Sequence, residues 1–422
     1  MHSVTNAIPT GTIASIPAKA HAHRALICAA LASSPSTILL SRTSKDIDAT
    51  MDSLRGLGAH VVYENKVLTV TPGPAPTKGD VVPHESGTTL RLLLPVAASI
   101  CNNVDVDAKG RLPDRPLEPM LSEMKAHGVI FSQDKPPFTM TGRLQGGNFS
   151  MVGDVSSQFF SGLLLAAPQI GLSTITSTTP LQSSDYVTLT TETMRDFGVE
   201  VKHTLPDTNI NEAFTVPFGA SFIGRDNYQI EGDWSNAAIW MIAAGMTGKP
   251  ITITGMNKNS VQADRRIMQV MIDAGCDVVW DGMNITVTGR ASKPIHADLK
   301  QMPDMLPVMA ALACSISGES SFINGARLRL KESDRLIAVA NLVRDLGGTV
   351  REEGDDLYII GSGILKGGHG DCVNDHRLVM AGTLMALISE NPVTLKDSEA
   401  ITKSYPDFFE DWNLLGGNAH GI

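Results

Sequence analysis

The stretch MDSLRGLGAHVVYENKVLTVT, residues 51–71, joins two different periodicities at a glycine. Met51, Leu54 and Leu57 recur every third position, the apolar face of a helix packed on a core. Gly58 follows, where a left-handed residue ends a helix at least cost. HVVYE and VLTVT then read as two strands of a hairpin, with turn chemistry at Glu64-Asn65. The same grammar returns along the chain. Leu121, Met124 and His127 precede Gly128 and VIFSQDKPPFTMTG; Phe197-Gly198 precedes VEVKH. Ala274-Gly275 precedes CDVVWDGMNITVTG, with a turn at Asp281-Gly282, and Leu346-Gly347 precedes TVREEGDDLYIIG, with a turn at Gly354-Asp355. Phe409, Trp412, Leu415 and Gly416 open a sixth, partial copy. Neighbouring glycines are 70, 70, 77, 72 and 69 residues apart. Six helix-and-hairpin units, three per half, predict two similar α/β domains. The period is too long for a solenoid of small stacked repeats.

Composition narrows the function. The chain has 422 residues, 42% apolar and 18% charged, enough to bury more than one core. Lys and Arg number 34 against 44 Asp and Glu, a formal net charge of −10. An excess of negative charge argues against nucleic acid or an anionic membrane surface as partner. An anionic small molecule would need cations gathered locally. Cys28, Cys101, Cys276, Cys314 and Cys372 are far apart and sit mostly in apolar segments, so buried reduced thiols are expected rather than disulfides or a metal site. The first thirty residues do not read as a signal peptide, and the apolar run Leu92–Ile100 is too short to span a bilayer. A soluble cytoplasmic protein is expected.

Three segments place small polar residues before an apolar helix. PAKAHAHRALICAALA, residues 17–32, carries Lys19 and Arg24, and its second half reads as helix; ESGTTLRLLLP, residues 85–95, carries Arg91; GDVSSQFFSGLLLAAP, residues 153–168, carries Ser156, Ser157 and Gln158. Free amides at a helix start suit a phosphate or carboxylate. A plain capping role for Ser86, Thr88 or Ser156 reads equally well. Three charged clusters also abut apolar runs: KESDRL at 331–336, NDHR at 374–377, and SYPDFF at 404–409 after Lys403. Charge at a core edge is charge partly desolvated, where electrostatics strengthen.

Taken together, GTTLR, SSQF, KESDRL, NDHR and KSYPDFF resemble, in order, the motifs of the 5-enolpyruvylshikimate-3-phosphate synthase family, from about Gly11 to about Phe409. The resemblance implies an α/β fold of two inside-out barrels, each of three βαβαββ repeats, with the active site between them. Residues 18–230 would form the shikimate-phosphate side. Residues 1–17 plus 231–422 would form the second domain, with most phosphoenolpyruvate contacts. It also implies enolpyruvyl transfer from phosphoenolpyruvate to shikimate 3-phosphate, without metal or organic cofactor, by a monomer. Lys19, Ala20, Arg24, Ser156, Ser157, Gln158, Ser183, Tyr186, Asp304 and Lys331 would contact shikimate 3-phosphate. Lys19, Gly87, Arg91, Arg115, Gln158, Arg335, Arg377 and Lys403 would surround phosphoenolpyruvate. Asp304 would be the base, Glu332 would exchange a proton with the methylene carbon, and Lys19 would contact the reacting groups.

Some positions depart from the family pattern. Ala20 stands where a serine usually helps hold the shikimate carboxylate, and the loop before it is one residue shorter. His21 or His23 could compensate, although surface positions are the ordinary reading of both. Glu85 replaces the asparagine of many members, and Arg327 stands where some have asparagine. Gly87 lies where a larger side chain would obstruct glyphosate, so inhibition by that herbicide is expected. Two alternatives stay open: a UDP-N-acetylglucosamine enolpyruvyl transferase, and a non-catalytic member that only captures shikimate 3-phosphate.

Overall fold

The structure, a computed structural model, describes residues 1–205 and 212–422. Two compact units emerge: an inserted unit, Pro17–Ile230, and a split unit made of Met1–Ile16 and Glu231–Ile422. Six four-stranded sheets run through the described residues, and all share one order. Gly79–Val81 pairs parallel with Asn103–Val106, which pairs antiparallel with Phe138–Thr141, which pairs antiparallel with Ile130–Phe131. Along the chain this is strand, helix, strand, helix, hairpin. Parallel neighbours need a helical crossover, whereas antiparallel neighbours need only a turn.

Three of the six sheets borrow a strand from elsewhere in their own unit. In the inserted unit, Tyr228–Gln229 lies parallel to Ser36–Leu39, completing the first sheet with the unit's last residues. In the split unit, His2–Val4 fills the gap between Val393–Lys396 and Ala419–Gly421. Gly11–Ala14 lies parallel to Ile251–Thr254.

All six punctuating glycines lie just past a helix, with φ between +88° and +102°. At the first, Gly58 N–H donates to the Arg55 carbonyl at 3.0 Å and Ala59 N–H to the Leu54 carbonyl at 3.0 Å. This pair of bonds is a Schellman closure, and it recurs at Gly128, Gly198, Gly275, Gly347 and Gly416. Gly354-Asp355 is the turn as read from the sequence, but the other two turn frames are displaced. Glu64 pairs with Val67, so the turn residues are Asn65 and Lys66, both at positive φ. Asp281 likewise pairs with Asn284, leaving Gly282-Met283 as the turn. The strand runs one residue further because its hydrogen bonds outweigh local side-chain preference.

Each unit has a core of helices buried all round. Leu306–Ser315 and His376–Ala386 are buried at every position. In the inserted unit, Gly87–Ile100 packs against Ser157–Ile170. Gly162 permits that approach: a Cβ there would lie 2.5 Å from the Arg91 carbonyl oxygen. Helices of the hairpin repeats, such as Lys45–Gly56, bury one face only. The starts of the buried helices carry most of the polar residues singled out in the sequence.

Candidate active site

In the inserted unit the helix begins at Lys19, earlier than its composition suggested, and runs to Ala30. Lys19 Nζ bonds Asp46 Oδ2 at 2.7 Å, an acid in the first turn of the next helix. Arg24, one turn on, is 1% exposed. Its Nε donates to Thr190 Oγ1 at 2.7 Å, Nη1 to the Ala20 carbonyl at 2.7 Å, and Nη2 to Ser161 Oγ at 3.3 Å and the Tyr186 carbonyl at 3.0 Å. None of these acceptors is charged. Burial accordingly pulls the guanidinium down to about 10.

Arg91 reaches from Gly87–Ile100 to its packing partner. Nη1 donates to Gln158 Oε1 at 3.1 Å, and Gln158 Nε2 donates back to Thr88 Oγ1 at 2.9 Å. The Arg91 guanidinium also lies 5.7 Å from the Phe159 ring centroid. Ser86 caps one helix and Ser156 the other, the latter accepting from Gln158 N–H at 3.3 Å. Gly87 is a matter of space: a Cβ there would meet Arg115 Nη1 at 2.5 Å. Ser157 is buried in the first turn of its helix, and Ser183, with φ of +54°, precedes the helix that carries Tyr186. A non-glycine residue held in the left-handed region is a common mark of a functional site.

The split unit gathers its residues around one guanidinium. Arg335, 2% exposed, donates Nε to Asp375 Oδ2 at 2.8 Å and Nη2 to Asp375 Oδ1 at 3.2 Å. It also donates Nη1 to Asp304 Oδ1 at 2.6 Å and Nη2 to Glu332 Oε2 at 2.7 Å. Lys331 Nζ lies 2.9 Å from the same Asp304 oxygen, so both cations hold Oδ1. Asp375 also caps its helix, accepting from Arg377 N–H at 3.0 Å and from Ser333 Oγ at 3.0 Å. Arg377 donates Nη1 to the Ser235 carbonyl at 3.4 Å, while its Nε is buried without a partner among the described residues. Lys403 Nζ bonds the Asn374 carbonyl at 2.7 Å, beside the same helix start.

Charge states follow from these neighbours. Burial pushes the Asp304 carboxyl up, but Lys331, Arg335 and Arg377 together outweigh it and hold the group well below the usual carboxylate range. Burial would pull Arg335 down, yet Asp375, Glu332 and Asp304 reverse the sign and raise it. Lys331 is lowered, chiefly by burial.

Lys19, Ala20, Arg24, Gly87, Arg91, Arg115, Ser156, Ser157, Gln158, Ser183 and Tyr186 belong to the inserted unit, and Asp304, Lys331, Glu332, Arg335, Arg377 and Lys403 to the split unit. The histidines differ from expectation. His21 is buried against the Tyr228 hydroxyl at 2.8 Å, and His23 is buried against Thr50 Oγ1 at 2.7 Å. Burial lowers both, His21 to about 4 and His23 well below its ordinary value, so both are neutral core residues. Three acids escaped the sequence reading as partners: Asp46, Asp375 and Asp264. Asp375 had a visible signal, a capping acid directly before an apolar helix. Asp46 and Asp264 had none, because their partners lie 27 and more residues away. All five cysteines are buried free thiols. No described helix is long and apolar enough to cross a membrane. Among the described residues, no three His, Cys, Asp or Glu side chains are arranged to hold a metal ion.

Comparison with known proteins agrees with this geometry. The family model described as EPSP synthase (3-phosphoshikimate 1-carboxyvinyltransferase) matches residues 7–412. A 3-phosphoshikimate 1-carboxyvinyltransferase of Clostridium kluyveri is 37% identical, over 95% of this chain and 94% of its own. One from Methanocorpusculum labreanum is 34% identical over 97% of each. Among solved structures, EPSP synthase from Acinetobacter baumannii superposes with a TM-score of 0.81 over 99% of both chains, at 22% identity, a likeness of fold. With the family model spanning almost its whole length, and relatives sharing more than a third of their residues across it, the chain belongs to the EPSP synthase family.

Proposed function

We propose that this chain moves the enolpyruvyl group of phosphoenolpyruvate onto the 5-hydroxyl of shikimate 3-phosphate, by addition and then elimination of phosphate through a tetrahedral intermediate. The observation that carries the reading is the pair of carboxyls on Arg335. Asp304 and Glu332 bond the same guanidinium, at 2.6 and 2.7 Å, so a base and a proton donor are fixed beside one anion-binding cation.

In this reading Asp304 Oδ2 takes the 5-hydroxyl proton, while Glu332 protonates the methylene carbon and then removes a proton to expel phosphate. Each step by a positioned acid or base supplies about 10²–10⁴-fold. A carboxylate as acidic as Asp304 is a weak base while its cations are unoccupied. Anions seated on Lys331, Arg335 and Arg377 would weaken that hold and strengthen the base when both substrates are bound. The split unit thus takes most phosphoenolpyruvate contacts, through Arg335, Arg377 and Lys403. In the inserted unit Ser156, Ser157 and Ser183 hold the 3-phosphate, and Arg24, Tyr186 and the Ala20 backbone face the shikimate body. Lys19, Gln158, Arg91 and Arg115, the last packed against Gly87, complete the anion contacts. Arginine forks give a carboxylate orientation as well as charge. Glyphosate is expected to compete with phosphoenolpyruvate.

Phosphate release from shikimate 3-phosphate plus phosphoenolpyruvate is the test. Turnover confirms the reading. Release only with UDP-N-acetylglucosamine as acceptor would replace the substrate, and binding of shikimate 3-phosphate without turnover would replace the enzyme with a capture protein.

A further inference from the structure

Asp264 is 1% exposed and has no place in the chemistry above. It sits on the short 3-10 turn Ala263–Arg266, where the charge of Arg377 acts on it. Ser235 joins the two: its hydroxyl donates to Asp264 Oδ2, and its carbonyl accepts from Arg377 Nη1 at 3.4 Å. One residue in the first turn of Trp234–Thr247 therefore touches both a buried acid and a candidate substrate cation.

Charged groups that act on Asp264 come from at least three elements. Arg377 comes from the helix His376–Ala386, Asp304 from the turn Pro303–Met305, and Asp233 from the cap of Trp234–Thr247. Arg265 and Arg266 belong to its own turn, and the following helix, Ile267–Asp273, brings no charge before its last residue. Burial raises the Asp264 carboxyl first, Arg377 lowers it, and Asp304 raises it again, to about 6.

We infer that Asp264 is a positioning residue for Arg377, and that it takes up a proton when an anion seats on that guanidinium. The inference rests on the reading of Arg377 as a phosphoenolpyruvate contact. An anion on Arg377 adds negative charge near Asp264 and draws away the cation that keeps it ionised. The carboxylate then gains a proton from solvent and returns it when the anion leaves. By linkage, acidifying the solution tightens anion binding in the same measure.

The test is calorimetry of phosphoenolpyruvate titrated into enzyme saturated with shikimate 3-phosphate, near pH 6, in two buffers of different ionisation enthalpy. Substrate phosphates exchange protons equally in every protein variant, so the difference between variants isolates this residue. The wild type is expected to take up about half a proton more than Asp264→Asn. Equal uptake in the two proteins overturns the inference. If Asp264→Asn does not fold, Ser235→Ala carries the test. Losing the hydroxyl donor disfavours the carboxylate, so the uptake window moves to higher pH. An unmoved window also overturns it. A titration with no binding of phosphoenolpyruvate at any pH would instead sink the substrate reading, and the linkage with it.

Discussion

Arg24 in the inserted unit and Arg335 in the split unit are the two most deeply buried arginines among the described residues, and opposite chemistry surrounds them. Arg24 bonds only hydroxyls and carbonyls, so its charge is hydrogen-bonded but not neutralised. Arg335 bonds three carboxylates, so its charge is more than neutralised. A cation with neutral partners is held ready for an anion. A cation inside a carboxylate network, besides meeting an anion, orients the acids around it, and through them can serve proton transfer. The same architecture has thus been given two electrostatic tasks.

The largest test of that contrast is Arg335→Ala. It strands Asp375, which is wholly buried, without its fork, and losing one partner of a buried pair costs about 3–5 kcal/mol. Denaturant unfolding should show a loss of that size together with lost turnover; unchanged stability would mean the network is not structural. Glu332→Gln keeps the shape but removes the acid. Turnover should fall about 10²–10⁴-fold while calorimetry finds shikimate 3-phosphate bound almost as in the wild type. Unchanged turnover would reject its role.

Arg24→Met asks the opposite of the inserted unit. No acid is stranded, so stability should hold, while affinity for shikimate 3-phosphate weakens by about 1.5–3 kcal/mol, the worth of a charged hydrogen bond. A large drop in melting temperature with unaltered affinity would erase the contrast. Asp264→Asn is the smallest change and depends on pH. The folded carboxyl is raised to about 6, so the native state binds a proton more readily than the unfolded chain. That group's stabilisation is full below its unfolded value and is lost as pH rises through 6. The variant should therefore be more stable than the wild type at pH 8, by about 3 kcal/mol, and equal to it near pH 4. Melting curves at both values check the sign.

Much of the fold was legible because the glycines mark a conformational need that other residues meet poorly. Gly58, Gly128, Gly198, Gly275, Gly347 and Gly416 all close helices by the same two bonds. The hairpin frame at Asn65-Lys66 was missed by one residue, since register is set by the paired strands and not by the turn alone. The cationic residues were legible from their motifs. Their partners were less so, because pairing is a tertiary fact: nothing local links Lys19 to Asp46, or Ser235 to Asp264. His21 and His23 were misjudged for the same reason, with burial coming from elements far along the chain.

The position of His2–Val4 bears on how the molecule is made. This strand needs Val393–Lys396 and Ala419–Gly421 on either side, so it leaves the ribosome almost 390 residues before its neighbours exist. At roughly 5–20 residues per second, that is a wait of about 20–80 seconds. Residues 17–230 carry all the strands of their three sheets and can fold during the wait. Until synthesis catches up, the opening segment is an unclaimed strand that chaperones or a neighbouring nascent chain could seize.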